Sequence, residues 1–100
     1  MIKELQEIID YIEDFLNNKP SFEEAWFASF DLQDFIKERS GIILANDEKL
    51  MEILETDVRD ICEALDYVKE DVSIYCISEK TFRRKLAEAL IKLKESNMQQ

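Results

Sequence analysis

The sequence has no histidine, one glycine and one proline. Without histidine it lacks the side chain most often used for proton transfer near neutral pH. A lone glycine, Gly41, leaves no Gly-rich loop to wrap a phosphate. Sheet proteins draw on glycine and proline at turn after turn, so this scarcity points to a few long helices with short connections. Two cysteines, Cys62 and Cys76, are too few for a disulfide framework. The N-terminal stretch MIKELQEIIDYIEDF alternates charged and apolar residues, so it reads neither as a secretory signal nor as a membrane span. Both thiols are therefore expected to be reduced, in the cytosol. No Asp-x-Asp-x-Asp-Gly run indicates calcium, and two cysteines with scattered carboxylates do not make a zinc site. No nucleophile and base can be named as a pair. The expectation is a non-enzyme with no catalytic residue, no metal and no cofactor.

What the chain does have is acid. Its 23 Asp and Glu against 13 Lys and Arg give a formal net charge of −10. Such a balance disfavours nucleic acid or an anionic membrane as a direct partner and favours a basic protein. The charge is uneven: residues 1–79 carry a net −14 and residues 80–100 a net +4. Folding the basic tail back onto the acidic part would offset some of it. A hundred residues make one domain, 1–100, expected as a monomer or weak dimer with residues 95–100 frayed.

Apolar spacing predicts an all-α fold, a compact antiparallel bundle of four helices, or five if the second restarts near Asp31. The first runs from about Ile2 to Asn17, with Leu5, Ile8, Ile9, Ile12, Phe15 and Leu16 on one stripe, and stops at Asn17-Asn18-Lys19-Pro20. Ser21-Phe22-Glu23-Glu24 has the spacing of a capping box and opens the second. Gly41 is expected to close it in a left-handed conformation, leaving Ile42 to Ala45 as an apolar bridge. Asn46 or Asp47 caps the third, predicted to reach about Val68 along Leu50, Leu54, Val58, Ile61 and Leu65. Residues 69–77 form a connector. Ser78 caps the last helix, with Phe82, Leu86, Ala89, Leu90 and Leu93 inward.

Two features stand out as binding elements. On a helical wheel Glu48, Glu52, Glu55, Glu63, Asp66 and Glu70 gather opposite the third helix's apolar stripe, with Arg59 the one base among them and Asp60 close by. The face is either simply solvated or made for a cationic partner; like charges at this spacing are mildly costly while nothing cationic binds. The second helix carries five aromatic rings, Phe22, Trp26, Phe27, Phe30 and Phe35, and these cannot all face one way. Either they form a broad buried face around a kink, or Phe27 or Phe30 is exposed inside an acidic rim, the anatomy of a protein-binding hot spot. Asp57 falls in the apolar sector of the third helix. It needs either an internal partner such as Arg83 or a partner's cation at a groove edge.

The stretch LMEILETDVRDICEALDYV, followed by YCISEKTFRRKLAEAL, resembles the layout of small helical bacterial immunity proteins, the colicin D-type group and those of contact-dependent growth inhibition systems. The likeness rests on Ile61-Cys62-Glu63, Tyr75 and Ile77-Ser78-Glu79, and spans roughly residues 50–93. It implies an immunity protein that covers the basic surface of a cognate toxin's nuclease domain, often one that cleaves tRNA. Glu52, Glu55, Asp60, Glu63, Asp66 and Glu70 would supply charge there, and Phe27 or Phe30 an apolar anchor. The competing expectation is an acidic helical adaptor or regulatory subunit for another basic protein.

Overall fold

In the computed structural model the described residues are 2–18 and 21–98, with the side chains of 97 and 98 not described. Helix α1 (Lys3–Asn17) forms where the apolar stripe predicts it and buries Leu5, Ile8, Ile9, Ile12 and Phe15, while Leu16 is only half-buried. Asn18 ends it, its backbone N–H donating to the Asp14 carbonyl; Lys19 and Pro20, the rest of the predicted stop, lie outside the described residues. Ser21 caps α2 (Phe22–Asn46): its Oγ accepts the Glu24 N–H at 3.3 Å and donates to Glu24 Oε1 at 3.2 Å. The carboxylate thus grips the capping hydroxyl rather than the capping amide.

Two expectations for α2 fail together. The helix neither restarts at Asp31 nor stops at Gly41; it continues to Asn46 and absorbs the supposed Ile42–Ala45 bridge. Gly41 sits in the helix with no positive φ. The reason is tertiary. Ile43 is fully buried in the core, so the turn beyond the glycine has apolar burial to gain. That gain outweighs glycine's modest cost in a helix.

Asp47 then acts as the hinge and cap, its Oδ1 accepting the N–H groups of Lys49 at 2.9 Å and Leu50 at 3.2 Å. Helix α3 (Glu48–Ile53) runs without a break into a π-helical segment (Leu54–Arg59) and then α4 (Asp60–Ala64). In the wide turn the Asp60 N–H reaches back five residues to the Glu55 carbonyl. Leu50, Leu54, Val58 and Cys62 are all buried at steps of four. A straight α-helix of 3.6 residues per turn would rotate such a stripe off the core, and the wider turn takes up the surplus.

This rod ends at Ala64, not near Val68 as the spacing predicts. Leu65 turns extended and pairs with Ile77: the Asp66 N–H donates to the Ile77 carbonyl at 3.0 Å and the Ile77 N–H to the Ala64 carbonyl at 2.9 Å. The connector therefore finds a partner in the chain just past α4. Ser78 caps α5 (Glu79–Met98), accepting the Thr81 N–H at 3.3 Å. Helix α5 continues through residues 95–98, where fraying is predicted; Gln99 and Gln100 lie outside the described residues.

The four rods close into an all-α bundle. Phe82, Leu86, Ala89 and Leu93 of α5 pack into the core made by α1, α2 and the 48–64 rod, while Leu90 is only half-buried. Polar ties reinforce the seams. Arg39 on α2 donates to Glu7 on α1 from Nη2 at 2.7 Å and Nε at 3.1 Å. Lys94 pairs with Glu13, and Lys92 with Asp57 at 3.4 Å, so the basic end of the chain does neutralise acid on two other rods. Among the described residues no helix is long and apolar enough to cross a membrane.

Candidate functional site

The acidic residues singled out from the sequence divide into two groups. Glu52, Glu55, Asp60 and Glu63 lie on the 48–64 rod, all exposed. Asp66 and Glu70 do not extend that face, because the rod ends at Ala64 and both fall in the connector. Glu63 pairs with Arg59 at 3.4 Å, one turn away. Among the described residues Glu52, Glu55, Asp60, Asp66 and Glu70 have no Lys or Arg within ion-pairing distance. Their negative potential is thus not cancelled locally.

Asp57 departs from its expected partner. Arg83 engages Glu79 on its own helix, through Nε at 3.2 Å, and lies 5.9 Å from the Phe15 ring centroid. Lys92, two turns further along α5, reaches Asp57 instead. A lysine's flexible stem can lay a cation over the helix surface where Asp57 is half-exposed, so the carboxylate is not forced into an apolar sector. Arg84 likewise pairs within α5, with Glu88 at 3.3 Å.

The aromatic cluster on α2 splits around the helix because the helix is continuous through Asp31. Phe35 packs on Tyr11 at 5.1 Å and beneath Arg39 at 5.0 Å, on the α1 side. Phe22 and Trp26 are half-buried, while Phe27 and Phe30 are 66 % and 50 % exposed. A further ring joins them that sequence reading missed. Tyr67, 80 % exposed, stacks edge-on to Phe22 with centroids 4.8 Å apart. Trp26 in turn meets Phe30 edge-on at 5.4 Å. Together the rings form an aromatic plateau with a cleft of ≈ 390 Å³ lined by Phe22, Glu23, Trp26, Phe27, Asp66 and Tyr67.

Sequence reading also missed the tip of the connector. A tight turn over Ser73–Cys76 is closed by the Cys76 N–H on the Ser73 carbonyl at 3.3 Å, and the Tyr75 N–H donates to Ser73 Oγ at 3.0 Å. It holds Ile74 and Tyr75 out into solvent, beside Asp60 and Glu63. Asp71 braces the base of the turn: Oδ1 accepts the Ser78 N–H at 2.9 Å and Oδ2 the Thr81 hydroxyl at 2.8 Å. Those hydrogen bonds, the Ser78 amide first, hold the Asp71 carboxyl below its ordinary pKa. The available signal was the run Val-Ser-Ile-Tyr flanked by Asp71 and Ser78: apolar residues in a segment braced by polar side chains, with no helical face to bury them.

Burial pushes the Cys62 thiol up to about 12, with the Glu63 charge adding to the effect, so it stays a neutral core residue. Cys76 is also raised, first by desolvation and then by its contact with Asp66. Tyr11 rises to about 12 through burial and the neighbouring Asp31. Among the described residues no group of His, Cys, Asp or Glu could hold a metal ion. No family model, curated protein or solved structure matches the chain.

Proposed function

We propose that this is an immunity protein, which binds a cognate bacterial toxin in the cytosol and neutralises it by covering the basic surface of a nuclease domain. The observation that carries the reading is that exposed apolar side chains and carboxylates line the same depressions. Asp66, unpaired with any cation among the described residues, lines a cleft with Phe22, Trp26, Phe27 and Tyr67; Asp60 and Glu63 line a second depression with Ile74 and Tyr75. Exposed rings supply desolvation energy at the centre of an interface, and surrounding carboxylates select a basic target. A nuclease surface is basic because it holds phosphates. Opposite charge also speeds capture, which matters when few toxin molecules suffice to kill. The resemblance of residues 50–93 to helical immunity proteins points the same way.

Immunity genes commonly sit directly downstream of their toxin, which provides the test. The product of the gene immediately upstream is expressed in a host cell, alone and with this chain. Growth should stop in the first case and resume in the second. The triple substitution Glu52→Lys, Glu55→Lys and Asp60→Lys touches only exposed carboxylates with no ion pair among the described residues, so the fold should persist. Protection should be lost. Unchanged protection by that variant refutes the assigned acidic face, and failure of the wild-type chain to protect refutes the immunity reading.

A further inference from the structure

We propose that the cleft between the start of α2 and the connector receives an arginine side chain of the partner protein, its guanidinium lying against Trp26, Phe27 and Tyr67 and facing the carboxylates of Glu23 and Asp66. This rests on the reading that the partner is basic, and adds which basic side chain is recognised and where.

Three depressions flank the connector, and their charges differ. The cleft in question has two carboxylates and no basic residue in its lining. The depression across the Phe22–Tyr67 contact carries Lys69 and Lys80. The one below the connector tip carries Lys85, and its Glu63 is already paired with Arg59. Asp60 of that third depression has no ion pair either, but it shares its lining with Lys85; of the three, the first offers a cation carboxylates with no basic residue beside them. Glu23 and Asp66 have no ion pair among the described residues.

The walls are prepared for a planar cation. The Asp66 carboxylate accepts the Tyr67 N–H at 2.7 Å, and the Asp66 N–H is held by the Ile77 carbonyl at 3.0 Å, so this wall is fixed to the core through the buried Ile77. Phe22, which also lines the cleft, meets Tyr67 edge-on. The Asp66–Tyr67 backbone is thus already ordered before binding. Between arginine and lysine the lining decides. An aromatic cleft demands that the cation shed water, and a guanidinium is weakly hydrated, stacks on rings and bonds a carboxylate with two N–H groups at once. An ammonium does none of these as well.

Trp26 is the only tryptophan in the chain and lines the cleft, so its fluorescence reports occupancy. Capped tetra-arginine and tetra-lysine peptides of equal charge are titrated into the full chain at constant ionic strength. The arginine peptide should change Trp26 emission and bind more tightly than the lysine peptide. Asp66→Asn and Tyr67→Ala should each weaken it about two- to fivefold. Asp34→Asn, which removes the same charge from α2 outside the cleft, should alter it by less than about twofold. Equal responses to the two peptides, with Asp66→Asn no worse than Asp34→Asn, would show bulk attraction only and overturn the site. So would a Trp26 response to N-acetyl-leucine amide but not to the arginine peptide, which would assign the cleft to an apolar occupant. A failed arginine response beside intact, charge-sensitive protection strikes the cleft alone; lost protection beside an intact arginine response strikes the toxin reading alone.

Discussion

Gly41→Ala separates two accounts of α2 by the sign of its effect. If Gly41 ended the helix in a left-handed conformation, a Cβ would cost roughly 1–2 kcal/mol there. In the structure Gly41 is inside the helix, exposed, and a Cβ would meet nothing within 4 Å. Alanine is better than glycine in a helix interior by about 0.8–1.0 kcal/mol, because it loses less backbone entropy on folding. With some of that lost to unfolded-state structure, a gain of about 0.5–1 kcal/mol is expected. For a domain of this size each kcal/mol moves the melting midpoint by about 4–8 °C, so Tm should rise by roughly 2–8 °C. Urea unfolding followed by far-ultraviolet circular dichroism should show a higher midpoint at unchanged slope. Gly41 lies about 20 Å along the helix from Phe27, at 1.5 Å per residue, so the proposed toxin protection should not change. A loss of stability would refute the continuous helix, and with it the burial of Ile43 by the turn beyond the glycine.

Ile77 locks the connector to the core, so Ile77→Ala should cost about 2–5 kcal/mol in chemical denaturation; a cost below about 1 kcal/mol would mean the connector is not anchored there. The Asp57–Lys92 pair is partly exposed, and a double-mutant cycle with Asp57→Asn and Lys92→Met should give a coupling of at most about 1 kcal/mol. A coupling of about 3 kcal/mol or more would restore the view of Asp57 as a buried charge. The Asp71 carboxyl is held below its ordinary value of 3.8, so the unfolded chain takes up that proton first as pH falls. Its contribution to stability is complete above pH 3.8 and is lost as pH drops through the depressed folded value. The stability difference between wild type and Asp71→Asn should therefore shrink in acid; a difference constant down to the lowest pH would remove Asp71 as the brace.

Helix type and facing were legible wherever one stripe of side chains meets one neighbour. In α1 and α5 the period of apolar residues alone picks out Leu5, Ile8, Ile12, Phe82, Leu86 and Leu93, all buried. The caps at Ser21, Asp47 and Ser78 were equally local, since each needs only a short polar side chain near the first exposed amides. The net charge, and the exposure of Phe27 and Phe30 as one of two open readings of the aromatic cluster, also followed from residue types alone.

The places where the pattern misled are those where a distant partner outweighs a local preference. Gly41 stays helical because Ile43 is buried against the bundle, and the rod ends at Ala64 because Leu65 and Ile77 exchange backbone contacts across twelve residues of chain. Those pairings lie outside any window a helical period can test. They moved Asp66 and Glu70 off the acidic helix, brought Tyr67 beside Phe22, and lifted Ile74 and Tyr75 into solvent. Composition decided that the protein is acidic and helical, because both are sums over residues. Which carboxylates stand beside which rings is a question of long-range packing, and the tertiary structure alone settled it.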